Sequence, residues 1–252
     1  MLKVSFVPWA EARALRGLRL VVNDRAPSAW SEGAKALFVY KRIPFVAAAF
    51  KPADPELVAW LGTSSAPVAF YDDEPARSSW RDILALSERL GPTPALLPAD
   101  AQAQAEMLTL LADVFDPGGL LWCRRLQLVH AGLLSGGEEG FSLPTAQYLA
   151  PKYGYRATEP ATFEARVSLG LAALASRLAA SGPFFYGADP LALDFYIAAL
   201  MGAFAPLPDE VFETARGLRR AFSFHPPAVK AALAPALLEH RDRVLARLVG
   251  PA

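Results

Sequence analysis

Ser28 and Ser31 stand three residues apart at the entry to a helix-forming stretch, Pro27-Ser28-Ala29-Trp30-Ser31-Glu32-Gly33-Ala34-Lys35-Ala36-Leu37. That is the spacing of the two sulfurs in a dithiol redox turn. Neither residue carries sulfur, so thiol–disulfide exchange is excluded there. A hydroxyl at a helix N-terminus has two other uses. It can donate a hydrogen bond to a bound thiolate, with the positive partial charge of the helix end adding to the stabilisation. A thiol whose pKa is lowered in this way supplies more nucleophile at neutral pH. Alternatively the hydroxyl caps the helix and does no more. The residues alone leave both uses open.

Two further stretches could hold a ligand. In Ser65-Ala66-Pro67-Val68 a proline opens a strand, where an ordinary trans peptide is common. In Glu74-Pro75-Ala76-Arg77-Ser78-Ser79-Trp80, hydroxyls, amides and a helix start make an anion site suited to a carboxylate, or a plain helix cap. Trp122 and Leu126 read as core on a helix that also carries Cys123, Arg124 and Arg125. Cys123 reads as a small buried hydrophobe. His130, His225 and His240 are far apart and share no ligand spacing with carboxylates, so no metal site is expected.

The elements that would position these residues change character near residue 92. Before it, Leu18–Val22, Pro44–Phe50 and Pro67–Tyr71 read as strands. Helical stretches at Trp30–Arg42, Glu56–Leu61 and Ser79–Leu90 alternate with them. A further strand after Asp72-Asp73-Glu74-Pro75 is expected to be very short. In the N-terminal extension Met1–Gly17, Pro8-Trp9 and Glu11–Leu15 suggest a short packed helix. Residues 91–100 carry three prolines and read as a linker. Beyond them the pattern predicts helices over Ala101–Val114, Leu120–Leu134, Glu159–Ala180, Leu191–Ala203, Pro208–Ala221 and Pro226–Val249, with a loop at 135–140.

Hydrophobic residues make up 53% of the 252 and charged residues 20%, a globular rather than disordered composition. Basic and acidic residues balance at 25 each, so net charge gives no reason to expect nucleic acid or an anionic membrane as partner. No apolar run reads as a membrane span: Lys41, Arg42 and Pro44 interrupt one, and Asp189, Pro190 and Asp194 another. Met1-Leu2-Lys3-Val4 does not open like a signal peptide. A single cysteine rules out an intrachain disulfide and fits a reducing cytosol.

Together these features resemble the cytosolic glutathione transferases of the serine type. The match runs over about residues 18–245: the first strand, the Ser-x-x-Ser helix, the Ile43-Pro44-Phe45 strand, Ala66-Pro67-Val68, a helix ending Glu88-Arg89-Leu90, the Pro94–Asp100 linker and an all-helical second half. The Ser28 stretch is also similar to the glutaredoxin pattern Cys-Pro-Tyr-Cys-x-x-Ala-Lys-x-Leu, with serine at both sulfur positions. Phe184–Asp194 resembles the family's Gly-x-x-x-Ser/Thr-x-x-Asp box. Asp194 matches the acid that would satisfy backbone donors at a buried helix start. Leu191 stands where the hydroxyl would be, and Asp189 is a candidate substitute. Ala66 replaces the more usual valine. The family's Glu/Asp-Ser pair falls, depending on register, on Ser79 or Trp80, with Ser79 favoured twelve residues after Pro67.

The resemblance implies a thioredoxin-like α/β domain over 1–92, including the extension 1–17, and an all-α domain over 101–252. It implies a cis peptide at Pro67 and glutathione as co-substrate, its cysteine backbone pairing with Val68 and its γ-glutamyl end meeting Glu74, Ser78 and Ser79. Ser28, or failing that Ser31, would hold the thiolate. A small hydrophobic electrophile would sit near Trp30 and Trp122. A cytoplasmic homodimer with a detoxifying role and no metal follows from the same resemblance. Two alternatives stay open: a non-catalytic ligand- or partner-binding protein of the same fold, and a specialised ether-cleaving or dehalogenating enzyme.

Overall fold

Leu18–Val22 (β2) is buried along its whole length, as expected of a central strand covered on both faces. The computed structural model describes residues 4–249, so the first three residues of the extension and the last three of the chain lie outside it. Element order before the linker is β1 (Phe6–Val7), α1 (Trp9–Ala14), β2, α2 (Ala29–Tyr40), β3 (Val46–Ala49), α3 (Pro55–Leu61), β4 (Val68–Tyr71) and α4 (Trp80–Leu90). The sheet runs β1-β3-β2-β4. β1 and β2 both pair with β3 in parallel, and β4 lies antiparallel to β2 with Val68 opposite Val21. The short further strand is one antiparallel bridge, Ala69 to Arg77.

The extension supplies the expected helix, α1, and also β1, which the sequence pattern did not announce. Two residues are too few for alternation to register. Trp9 donates its indole N–H to Asp54 Oδ2 at 2.9 Å and stacks on Trp60. Asp54 also caps α3, its Oδ1 accepting from Leu57 N at 3.1 Å.

The linker is pinned. Buried Lys41, at the end of α2, donates to Gly91 O at 2.5 Å, Pro94 O at 2.6 Å and the Glu88 carboxylate at 2.6 Å. The Thr93–Pro94 peptide is cis, and Leu96 is fully buried.

After the linker come α5 (Ala101–Phe115), α6 (Leu120–Leu134), α7 (Leu143–Tyr153), α8 (Pro160–Ser181), α9 (Ala192–Leu200) with a 3-10 turn at Met201–Ala203, α10 (Arg216–Phe222), α11 (Pro227–Ala232) and α12 (Pro235–Val249). Three departures from the sequence reading have local causes. Two prolines, Pro144 and Pro151, punctuate α7 and interrupt the pattern that announces a helix, and only Ala146 among its residues is buried. The stretch from Pro208 starts as turns tied down by Asp209, which accepts from Thr214 N, and becomes helical only at Arg216. The last stretch breaks between α11 and α12, where Pro235 bars Ala234 from helical geometry.

One core joins the two halves. All nine residues of α9 are buried, and α9 packs along α2, whose residues Ala29, Ala34, Leu37 and Phe38 are fully buried. A second cluster, around Val21, Leu57, Val68 and Phe70, fills the opposite face of the sheet.

Candidate functional site

Ser28 has extended backbone (φ −74°, ψ 113°) and stands as the N-cap residue of α2, its carbonyl accepting from Glu32 N at 2.8 Å. Its hydroxyl makes no capping bond. The residue opens instead on a cleft of about 530 Å³ between the two halves. Ser31, one turn on, is fully buried, and its Oγ accepts from Asn23 N at 3.3 Å and Asn23 Nδ2 at 3.1 Å. Ser31 does not line the cleft. The two serines that spacing paired are thus separated: one faces the cleft, and the other ties β2 to α2.

On the sheet side the cleft is bounded by Asn23, Ser28, Phe50, Ser65, Pro67 and Ser78. The Ala66–Pro67 peptide is cis, as the resemblance implies. Val68 begins β4 directly beside it and is fully buried. Of the Glu74–Trp80 stretch, only Ser78 reaches the cleft. Ser79 caps α4: its Oγ accepts from Asp82 N at 3.0 Å and donates to Asp82 Oδ2 at 2.6 Å. Glu74 pairs with Arg77 at 2.5 Å and Arg89 at 2.6 Å, and hydrogen bonds from Arg89, then Arg77, hold its carboxyl below the usual range.

The helical wall brings Trp30 and Trp122 together. Trp30 donates its indole N–H to Phe115 O at 3.2 Å, and Trp122 donates to Tyr153 O at 3.0 Å while packing its ring on Tyr153 at 4.6 Å. Arg125, Tyr148 and Lys152 complete the wall. Lys152 donates to Ser64 O at 2.9 Å, bridging α7 to the loop before Pro67. Among the described residues no aspartate or glutamate lines the cleft.

Sequence reasoning missed Asn23, Tyr148, Lys152 and Tyr153. The last three ride on α7, whose prolines hid the helix and with it their common face. Cys123 is buried with Sγ 3.4 Å from Gly118 O, and burial pushes its thiol up, so it offers no thiolate. Among the described residues no group of three or more His, Cys, Asp or Glu could hold a metal ion, and no helix is long and apolar enough to cross a membrane.

No family model and no curated protein matches this chain. Solved structures do. A glutathione S-transferase from Methylobacterium radiotolerans, in complex with glutathione sulfonate, is similar with a TM-score of 0.59 and 17% identity, covering 91% of each chain. One from Xanthobacter autotrophicus gives a TM-score of 0.58 at 16% identity, covering 94% of this chain and 96% of that one. A maleylacetoacetate isomerase from Anaeromyxobacter dehalogenans, with glutathione bound in its active site, gives 0.53 at 20% identity over 91% of this chain and 90% of that one. Identities this low speak to architecture, and here it agrees with the elements already described: a thioredoxin-like sheet half with its cis-proline, followed by a helical half. This chain has the glutathione transferase fold.

Proposed function

We propose that this chain is a glutathione-dependent transferase whose thiolate is held by Ser28. The observation that carries the reading is the Ser28 hydroxyl: it stands at the start of α2, uncommitted to capping, on the cleft that cis-Pro67 also borders. Neighbours of this fold carry glutathione or its sulfonate. An unperturbed thiol titrates near about 8.5. A hydroxyl donor and the positive end of a helix both favour the thiolate, so more nucleophile is present at neutral pH. The sulfur then bonds to an electrophilic carbon, and a leaving group departs with its bonding pair. The protein's remaining task is to position the two reactants.

Glutathione would lie along the sheet side, with its cysteine backbone beside Ala66 and cis-Pro67, since Val68 is buried and paired with Val21, and its γ-glutamyl end toward Ser78. The commitments of Ser79 to Asp82 and of Glu74 to two arginines favour Ser78 as the contact there.

Calorimetry of glutathione binding, with Ser28→Ala alongside, tests the reading. The wild type is expected to bind glutathione at millimolar concentration or below. Ser28→Ala is expected to lower turnover of an activated aryl chloride by about tenfold or more, the worth of one hydrogen bond to a charged group, with a smaller change in glutathione affinity. No glutathione binding by the wild type sinks the transferase reading in favour of a non-catalytic binding protein. A fully active Ser28→Ala moves the thiolate to another donor.

A further inference from the structure

Among the described residues Arg125 meets no carboxylate. Its guanidinium lies among three aromatic rings, 5.3 Å from the centre of Phe222, 5.7 Å from Phe141 and 5.9 Å from Trp30. Its Nε is sealed from solvent and finds no acceptor among the described residues. A buried guanidinium N–H left without an acceptor is costly. Lys152, on the facing helix α7, lines the same cleft, and among the described residues its ammonium donates to the Ser64 carbonyl alone. Burial, and after it the nearness of Arg125, pushes Lys152 below the usual lysine range. Neighbouring Arg124 also lacks a carboxylate among the described residues, but its guanidinium is satisfied by Gln127 Oε1 at 2.6 Å, Ala203 O at 3.2 Å and Phe224 O at 2.7 Å. In the cleft two neighbouring cations face a cavity without an acid. A carboxylate placed between them would accept from the Arg125 fork and neutralise both.

Two carboxylates could come there: one on the second substrate, or the glycine end of glutathione. We propose that the second substrate is itself an organic acid, whose carboxylate is bound by Arg125 and Lys152 while its electrophilic carbon faces Ser28. The inference rests on the transferase reading for the identity of the nucleophile, but not for the binding of the acid. Both cations stand on the helical wall, with Trp30 and Trp122, where the electrophile belongs. Trp30 and Trp122, which line the same cleft, add that the acid carries a flat or apolar body.

The experiment uses a matched pair of electrophiles: a chloronitrobenzoate, with chlorine para and nitro meta to the carboxylate, and the corresponding carboxamide. In each, the glutathione sulfur bonds to the ring carbon and chloride leaves with its electron pair, so the two probes differ only in the anion. For the wild type, kcat/KM relative to the uncatalysed rate is expected to favour the acid by at least about tenfold, the equivalent of one charge-assisted hydrogen bond. Arg125→Gln is expected to abolish that preference chiefly through KM, and Lys152→Gln to reduce it. The glutathione Kd of both variants should move by less than about threefold. Lys152→Gln, on the rim, keeps the test open should Arg125→Gln fail to fold. A wild type that treats acid and amide alike overturns the proposal. So does a preference that survives in Lys152→Gln and a folded Arg125→Gln while glutathione affinity collapses, which would assign the cations to glutathione. Calorimetry with the benzoate alone separates the two readings. Benzoate binding that is lost in the variants upholds the acid site even if glutathione does not bind, and no benzoate binding to the wild type overturns it whatever glutathione does.

Discussion

Asp194 carries more of the fold than its single charge suggests. It is fully buried, and accepts from Leu191 N at 2.9 Å, Phe185 N at 3.0 Å and His240 Nε2 at 2.8 Å. Removing it leaves two backbone amides and a histidine without an acceptor, each costing of the order of 1 kcal/mol or more. Asp194→Ala is therefore expected to lose about 3 kcal/mol, read as a lower denaturant midpoint at unchanged slope. Asp189 does not replace the hydroxyl absent at Leu191; it reaches only Arg247, at 3.6 Å on the surface. Asp194 was legible in the sequence through the resemblance of Phe184–Asp194 to a family box whose acid closes a buried helix start. The roles of Ser28 and Ser31 were not, since a hydroxyl serves a cap, a buried tie or a ligand with the same atoms. Only the path of β2, which brings Asn23 onto Ser31, tells them apart. Arg125 was visible as a residue but not as an unpaired cation, because pairing depends on what α7 and the loops bring opposite it.

At the scale of elements, the joint between α2 and α9 turns on Gly33. A Cβ there would lie 2.3 Å from Tyr196 Cδ1 and 2.5 Å from Cε1. Alanine is favoured over glycine in a helix by roughly 1 kcal/mol, but the Tyr196 ring is hemmed in by Phe115 at 5.1 Å and Trp80 at 6.4 Å. The clash should win: Gly33→Ala is expected to cost about 1–3 kcal/mol net, seen as a lowered thermal midpoint, with Gly217→Ala, where a Cβ meets nothing, as the permissive control. Elements that run unbroken by proline were readable to the residue, as Leu18–Val22, a compact β-branched run, and Leu120–Leu134 were. Those interrupted by proline were not: α7 went unseen, and the break at Pro235 was read through. Apolar spacing reports a helix only where one face is buried, and α7 buries almost none.

At the scale of the whole molecule, Lys41 decides how the sheet half meets the helical half. It gathers the end of α4 and the linker through Glu88, Gly91 and Pro94, while the linker's Leu96 carbonyl receives Ala192 N of α9 at 2.9 Å. Lys41→Met preserves length but leaves two carbonyls unpaired and the Glu88 carboxylate with only the Leu96 amide, at 3.1 Å. A loss of about 3 kcal/mol is expected, with hydrogen exchange at Ala192 accelerating ahead of the α8 amides. By contrast Arg156→Ala, at an exposed pair with Glu159, should change stability by less than about 0.5 kcal/mol.

β1 gives the chain an order of assembly. Phe6 lies opposite Ala47 in a parallel pair, and Trp9 waits for Asp54. β1 therefore has no strand to pair with, and Trp9 no acceptor, until β3 and α3 have followed them. Closing so long a loop is entropically expensive, and non-local parallel pairing is slow. This edge strand is thus made before the strand it pairs with and is among the last to dock, so a nascent chain halted just after α2 would hold β1 with its place in the sheet not yet made.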